Sequence, residues 1–119
     1  MRKLALCAAG ACVFVALTNT AYARSAYDGS WDLAFVTQRG ACDAVYNFTV
    51  NVSNGVVTHP NLVKFRGFVR KSGAVRASVT VQDKYAAGSG KLSNTSGRGT
   101  WRGHSGSARC SGYWTGQRN

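Results

Sequence analysis

The chain has 119 residues and a formal net charge of +11, from 15 Lys and Arg against four Asp and no Glu. That length with no internal linker holds one domain, and the charge directs it toward anionic polymers, anionic lipid headgroups or nucleic acid. It excludes a partner surface that needs acidic groups, such as one built to meet a cationic enzyme.

In chain order, Met1-Arg2-Lys3, the apolar run from Leu4 to Leu17 and the small-residue site Ala21-Tyr22-Ala23 predict an export signal over residues 1–23. The apolar run is short of the roughly 20 residues of a spanning helix. Apolar Val13-Phe14-Val15 follows Cys12 where a lipoprotein would carry a polar linker. The expected product is therefore a released periplasmic or secreted protein, residues 24–119, that does not span the membrane. Cys7 and Cys12 leave with the signal, and Cys42 and Cys110 remain where a disulfide persists. The mature chain keeps 13 Lys and Arg against Asp28, Asp32, Asp43 and Asp83, a net charge of +9.

After the signal, period-two alternation bounded by Gly, Ser and Asn recurs along the chain and predicts an all-β fold. The first strand places Trp31, Leu33 and Phe35 on one face. After a loop at Gln38-Arg39-Gly40-Ala41, the second carries Tyr46, Phe48, Val50 and Val52. Asn54-Gly55 predicts a tight hairpin turn into Val56-Val57-Thr58, which ends at His59-Pro60-Asn61.

The next hairpin is specified to its register. A three-residue loop, Lys71-Ser72-Gly73 with Gly73 left-handed, sets Val69 opposite Val75, Gly67 opposite Ala77, Phe65 opposite Val79 and Val63 opposite Val81. One face is then apolar. The other carries Lys64, Arg66, Phe68, Arg70 and Arg76. A two-residue loop mixes cations into both faces, so the pattern selects the longer one. On the solvent face Phe68 lies within reach of Arg76 for a cation-π contact, and this basic face is the candidate ligand-binding surface.

Asp83 to Gly90 reads as a loop and Lys91-Leu92-Ser93 as a short strand. Asn94 to Gly97 reads as a turn, Gly99 to Gly103 as a strand around Trp101, His104 to Ser107 as a turn, and Ala108 to Gln117 as the last strand. Seven or eight short antiparallel strands close as an up-and-down barrel or pack as a small sandwich. Closure removes exposed edges and favours the barrel. A Cys42 to Cys110 bridge would staple the front of the chain to its end.

Gly29-Ser30-Trp31, with Arg118 beyond the last strand, resembles the pattern of calycin-type barrels such as lipocalins and avidins. That resemblance implies Trp31 packed near Arg118 and a small-ligand site in the barrel, lined by Trp31 and its neighbours. The mature chain is also similar to short exported bacterial proteins that share a Trp near the start, two cysteines and a Cys-Ser-Gly-Tyr-Trp type ending, a resemblance that implies no activity.

Catalysis has little to stand on. His59 and His104 are the only side chains suited to acid-base work near neutrality, which leaves a His-dependent hydrolase as an alternative, yet both fall in turns. No phosphate-binding glycine loop, clustered metal ligands or nucleophile motif is present, so neither cofactor nor metal is expected. Arg98, Arg102 and Arg109 among Trp101, Tyr113 and Trp114 are of the types that stack on single-stranded nucleic acid, a partner that the expected export argues against. The sequence predicts a non-enzymatic barrel that contacts anionic polysaccharide or lipid headgroups through the Lys64 to Arg76 hairpin. A calycin-like binder of small ligands is the alternative.

Overall fold

Strands β1 (Gly29–Arg39), β2 (Val45–Ser53), β3 (Val56–Thr58), β4 (Phe65–Val69), β5 (Ala74–Val81), β6 (Lys84–Leu92), β7 (Ser96–Ser105) and β8 (Ala108–Arg118) follow one another along the described residues. The structure is a computed structural model that describes residues 26–62 and 64–119. The export signal expected at 1–23, and the expected pairing of Val63 with Val81, lie outside the described residues. Each strand pairs antiparallel with the next, and β8 returns to pair with β1, so the sheet is a closed up-and-down barrel with no free edge.

Period two decides what faces inward. Trp31, Phe35, Val50, Val52, Val57 and Phe65 come from the first half of the barrel and are buried. Val75, Val79, Leu92, Trp101 and Trp114 complete the interior from the second half. Each indole N–H finds a backbone carbonyl: Trp31 donates to Tyr27 at 2.9 Å, Trp101 to Val36 at 3.0 Å and Trp114 to Ser89 at 3.1 Å. The three largest side chains are thereby buried without an orphaned donor.

The β4–β5 hairpin has the register the hydrophobic pattern selects. Val69 pairs with Val75, Gly67 with Ala77 and Phe65 with Val79, and Gly73 closes the loop at φ 92°. Asn54 and Gly55, at φ 53° and 79°, make the tight β2–β3 turn.

Four expectations are corrected. Gln38 and Arg39, expected in a loop, are the end of β1. The loop expected at Asp83–Gly90 is β6, and Lys91-Leu92 is the end of that strand rather than a short strand of its own. Its inward residues are Ala86, Gly88 and Gly90, too small to give an apolar alternation. The volume opposite them is filled by Trp101 and Trp114, and a Cβ at Gly90 would lie 2.7 Å from the Trp114 ring. His104 and Ser105, expected in a turn, are the end of β7, and only Gly106-Ser107 turns. Ser96 and Gly97, likewise expected in a turn, begin β7.

Disulfide Cys42–Cys110 joins the β1–β2 loop to β8 across 68 residues of sequence. By loop entropy it stabilises the fold by about 4 kcal/mol. At the other end Arg118 closes the barrel. Its guanidinium stands 5.6 Å from the Trp31 ring centroid and donates to the carbonyls of Ala26, Asn94 and Asp28.

Candidate functional site: an arginine trough on the barrel wall

On the outer wall, strands β4 to β8 and the end of β1 form an open trough of about 870 Å³. Its geometry follows from register. Reading across the strands, Arg66 faces Ser78, Ser78 faces Ala87, Ala87 faces Arg102, and Ser111 lies between Arg102 and Arg39. All six residues of this transverse row line the trough. A second row beside it runs Phe68, Arg76, Ser89, Thr100. The floor is thus small and hydroxylated, and four arginines rise around it. None of the four Asp residues lines it.

Arg39 is on this surface because of a β-bulge. Thr37 pairs with Gly112 and Arg39 with Ser111, so Gln38 is an extra residue in β1. Without it, strict alternation would set Arg39 opposite Cys110 and aim it at the interior. With it, Gln38 and Arg39 both line the outer trough, the re-aiming that bulges commonly perform. Gly112 makes room, since a Cβ there would overlap the Val36 carbonyl and lie 3.0 Å from the Gln38 nitrogen.

Of the residues singled out in the sequence, Arg66, Phe68 and Arg76 line the trough, whereas Lys64 and Arg70 are exposed on the same hairpin outside it. Among the described residues Phe68 is the most exposed large hydrophobic, at 64%. Arg76 is its cross-strand partner, but among the described residues the guanidinium stacked on a ring is Arg118's, so the expected Phe68–Arg76 cation-π contact is not formed. The same Arg118 is the one guanidinium that donates hydrogen bonds among the described residues, and the trough arginines are free of such ties. The grouping of Arg98, Arg102 and Arg109 with three aromatics is not kept together: Trp101 and Trp114 are buried, Tyr113 is exposed opposite Thr100 but outside the trough, and of the three arginines only Arg102 lines it. Sequence reasoning missed Gln38 and Arg39, and only the extra residue before Gly40 could have signalled them.

A second feature lies inside the barrel at the disulfide end. There an apolar cavity of about 300 Å³ is lined by Tyr46, Phe48, Leu62, Val79 and Trp101, with Lys84 and His104 at its rim. The end near Trp31, where the small-ligand reading placed its cavity, retains only about 30 Å³, little more than one water. His59 does not line the open cavity. Its Nδ1 accepts the backbone N–H of Asn61 at 3.1 Å and of Leu62 at 3.2 Å, which makes it the staple of the β3–β4 connection. His104 instead stacks on Tyr85, ring centroids 6.0 Å apart.

Comparison with protein-family models, with curated proteins and with solved structures returned no match.

Proposed function

We propose that this protein is an exported, non-enzymatic barrel that binds anionic envelope material through the arginine trough. The observation that carries the reading is four arginines around one hydroxylated floor with no carboxylate among its lining residues. A guanidinium offers paired donors in a planar fork that matches carboxylate, sulfate and phosphate groups, and a charged hydrogen bond contributes about 1.5 to 3 kcal/mol. The disulfide accords with an oxidising compartment. The two histidines have separate structural partners, which disfavours a joint catalytic role.

The test is retention of the oxidised protein on anionic polysaccharides and on lipopolysaccharide across a salt series, beside a variant with Arg39, Arg66, Arg76 and Arg102 changed to Gln. Selective retention near physiological salt that the folded variant loses supports the reading. Identical elution of the two proteins overturns it.

The apolar cavity favours a second reading, a binder of small apolar molecules at the disulfide end. At about 300 Å³ the cavity is at the lower limit of small-molecule sites. An environment-sensitive dye bound at 1:1 and displaced by Val79→Trp, which fills the cavity, would support it.

A further inference from the structure

The transverse row constrains what the trough can hold. Resting on the reading of the trough as a polyanion site, we infer that its ligand is an acidic polysaccharide lying across the strands, from Arg66 over Arg102 to Arg39. Neighbouring strands are about 4.8 Å apart, so Arg66 and Arg102, three strands apart, stand about 14 Å from each other along the wall, and Arg102 and Arg39 about 10 Å. The row therefore extends over about 24 Å of surface, far more than one phosphate or one headgroup can bridge. An extended chain with recurring anionic groups engages all three positions at once, and each further contact is made at the effective concentration set by the first.

The floor discriminates among chain polyanions. Single-stranded nucleic acid is held by successive bases stacked on successive aromatic rings along a basic groove. Here the positions between the arginines are Ser78, Ala87, Ser89, Thr100 and Ser111, and of the two aromatic residues that line the trough Trp101 is buried, which leaves Phe68, at its end, as the exposed ring. Hydroxyl side chains both donate and accept, as sugar hydroxyls do, so a saccharide meets hydrogen-bonding partners at Ser78, Ser89, Thr100 and Ser111, where successive bases find no rings to stack on. A bilayer surface is the poorer fit as well, because the floor is recessed between its arginines and a plane would touch only the rim. Phe68 then offers its ring face to the apolar side of a terminal sugar.

Oligogalacturonates of defined length provide the probe, measured by titration calorimetry against the disulfide-intact protein at fixed salt, with single-stranded DNA and anionic vesicles at matched charge alongside. Two double variants, Arg39→Gln with Arg102→Gln and Arg66→Gln with Arg76→Gln, are checked for folding by the near-ultraviolet signal of the buried tryptophans. Affinity is expected to climb with length until the oligomer spans the row and then level off. Both double variants should bind the long oligomer at least about tenfold more weakly, and the Arg39/Arg102 variant should lose the dependence on length. If only the Arg66/Arg76 pair matters and length is without effect, the ligand sits on the hairpin: the transverse row falls while polyanion binding stands. Tighter binding of DNA or of vesicles than of galacturonate at matched charge overturns the saccharide class. If no polyanion distinguishes the protein from its variants, the inference falls together with the proposed function.

Discussion

Arg39 reaches the outer wall because β1 carries two residues, Gln38 and Arg39, where β8 offers the single partner Ser111. The space for that bulge is the missing side chain of Gly112, so Gly112→Ala should act twice. The added Cβ meets the Val36 carbonyl, a backbone group that cannot give way like a flexible side chain, and overpacking of this kind destabilises by about 1 to 3 kcal/mol. It should also displace Arg39 and weaken polyanion binding, whereas an equally destabilising change elsewhere in the core should leave affinity intact. Urea unfolding beside polymer titration separates the two effects. Phe68 sits at the opposite extreme. With its side chain mostly in solvent, Phe68→Ala should change stability by no more than about 0.5 kcal/mol. Any loss of binding then belongs to the ligand contact.

At the scale of elements, β6 shows how a strand can be invisible to a reading of its own residues. Ala86, Gly88 and Gly90 supply no apolar period, because the interior facing them is occupied by the indoles of β7 and β8. Glycine here is a packing complement. At Gly99 a Cβ would overlap the Ser89 carbonyl and crowd the Trp114 indole nitrogen at 2.5 Å. Gly99→Ala should therefore cost about 1 to 3 kcal/mol and alter the near-ultraviolet tryptophan spectrum, and an unchanged spectrum with unchanged stability would refute the packing argument. The β4–β5 hairpin is the contrary case. Two apolar strands flank a loop with a glycine at the one position, φ 92°, where a side chain is strained, and its pairing could be counted out residue by residue. Three trough residues, Arg66, Phe68 and Arg76, were legible for the same reason. Arg39 was not, since a bulge reverses the parity on which such counting depends.

For the whole molecule, the disulfide holds the β1–β2 loop against β8 next to both candidate sites: Cys42 lines the apolar cavity, and Arg39 directly precedes the loop, three residues before Cys42. Reduction should lower stability by about 4 kcal/mol, read as a fall in the denaturation midpoint. Under conditions where the reduced barrel stays folded, binding of the long oligogalacturonate should weaken more than binding of a short one, because Arg39 is the row position the bridge anchors. Equal weakening at all lengths would separate the disulfide from the site.

What the sequence by itself determined is local and periodic: the all-β class, the tight turns at Asn54-Gly55 and Gly73, the pairing of β4 with β5, and a basic outer face on that hairpin. These follow from alternation along one or two neighbouring strands and from turn chemistry that a few residues carry. Only the tertiary structure decided between the closed barrel that the pattern favoured and a sandwich, that glycine-rich β6 is a strand, and that Arg39 and Arg102 join Arg66 and Arg76 around one floor. Closure and the place of β6 depend on pairings made around the barrel, and the trough depends on residues brought together across six strands and on a bulge whose room is made by a glycine more than 70 positions away in the chain. Closure and the register of strands distant in the chain set these contacts, and neither is written in any single stretch of the sequence.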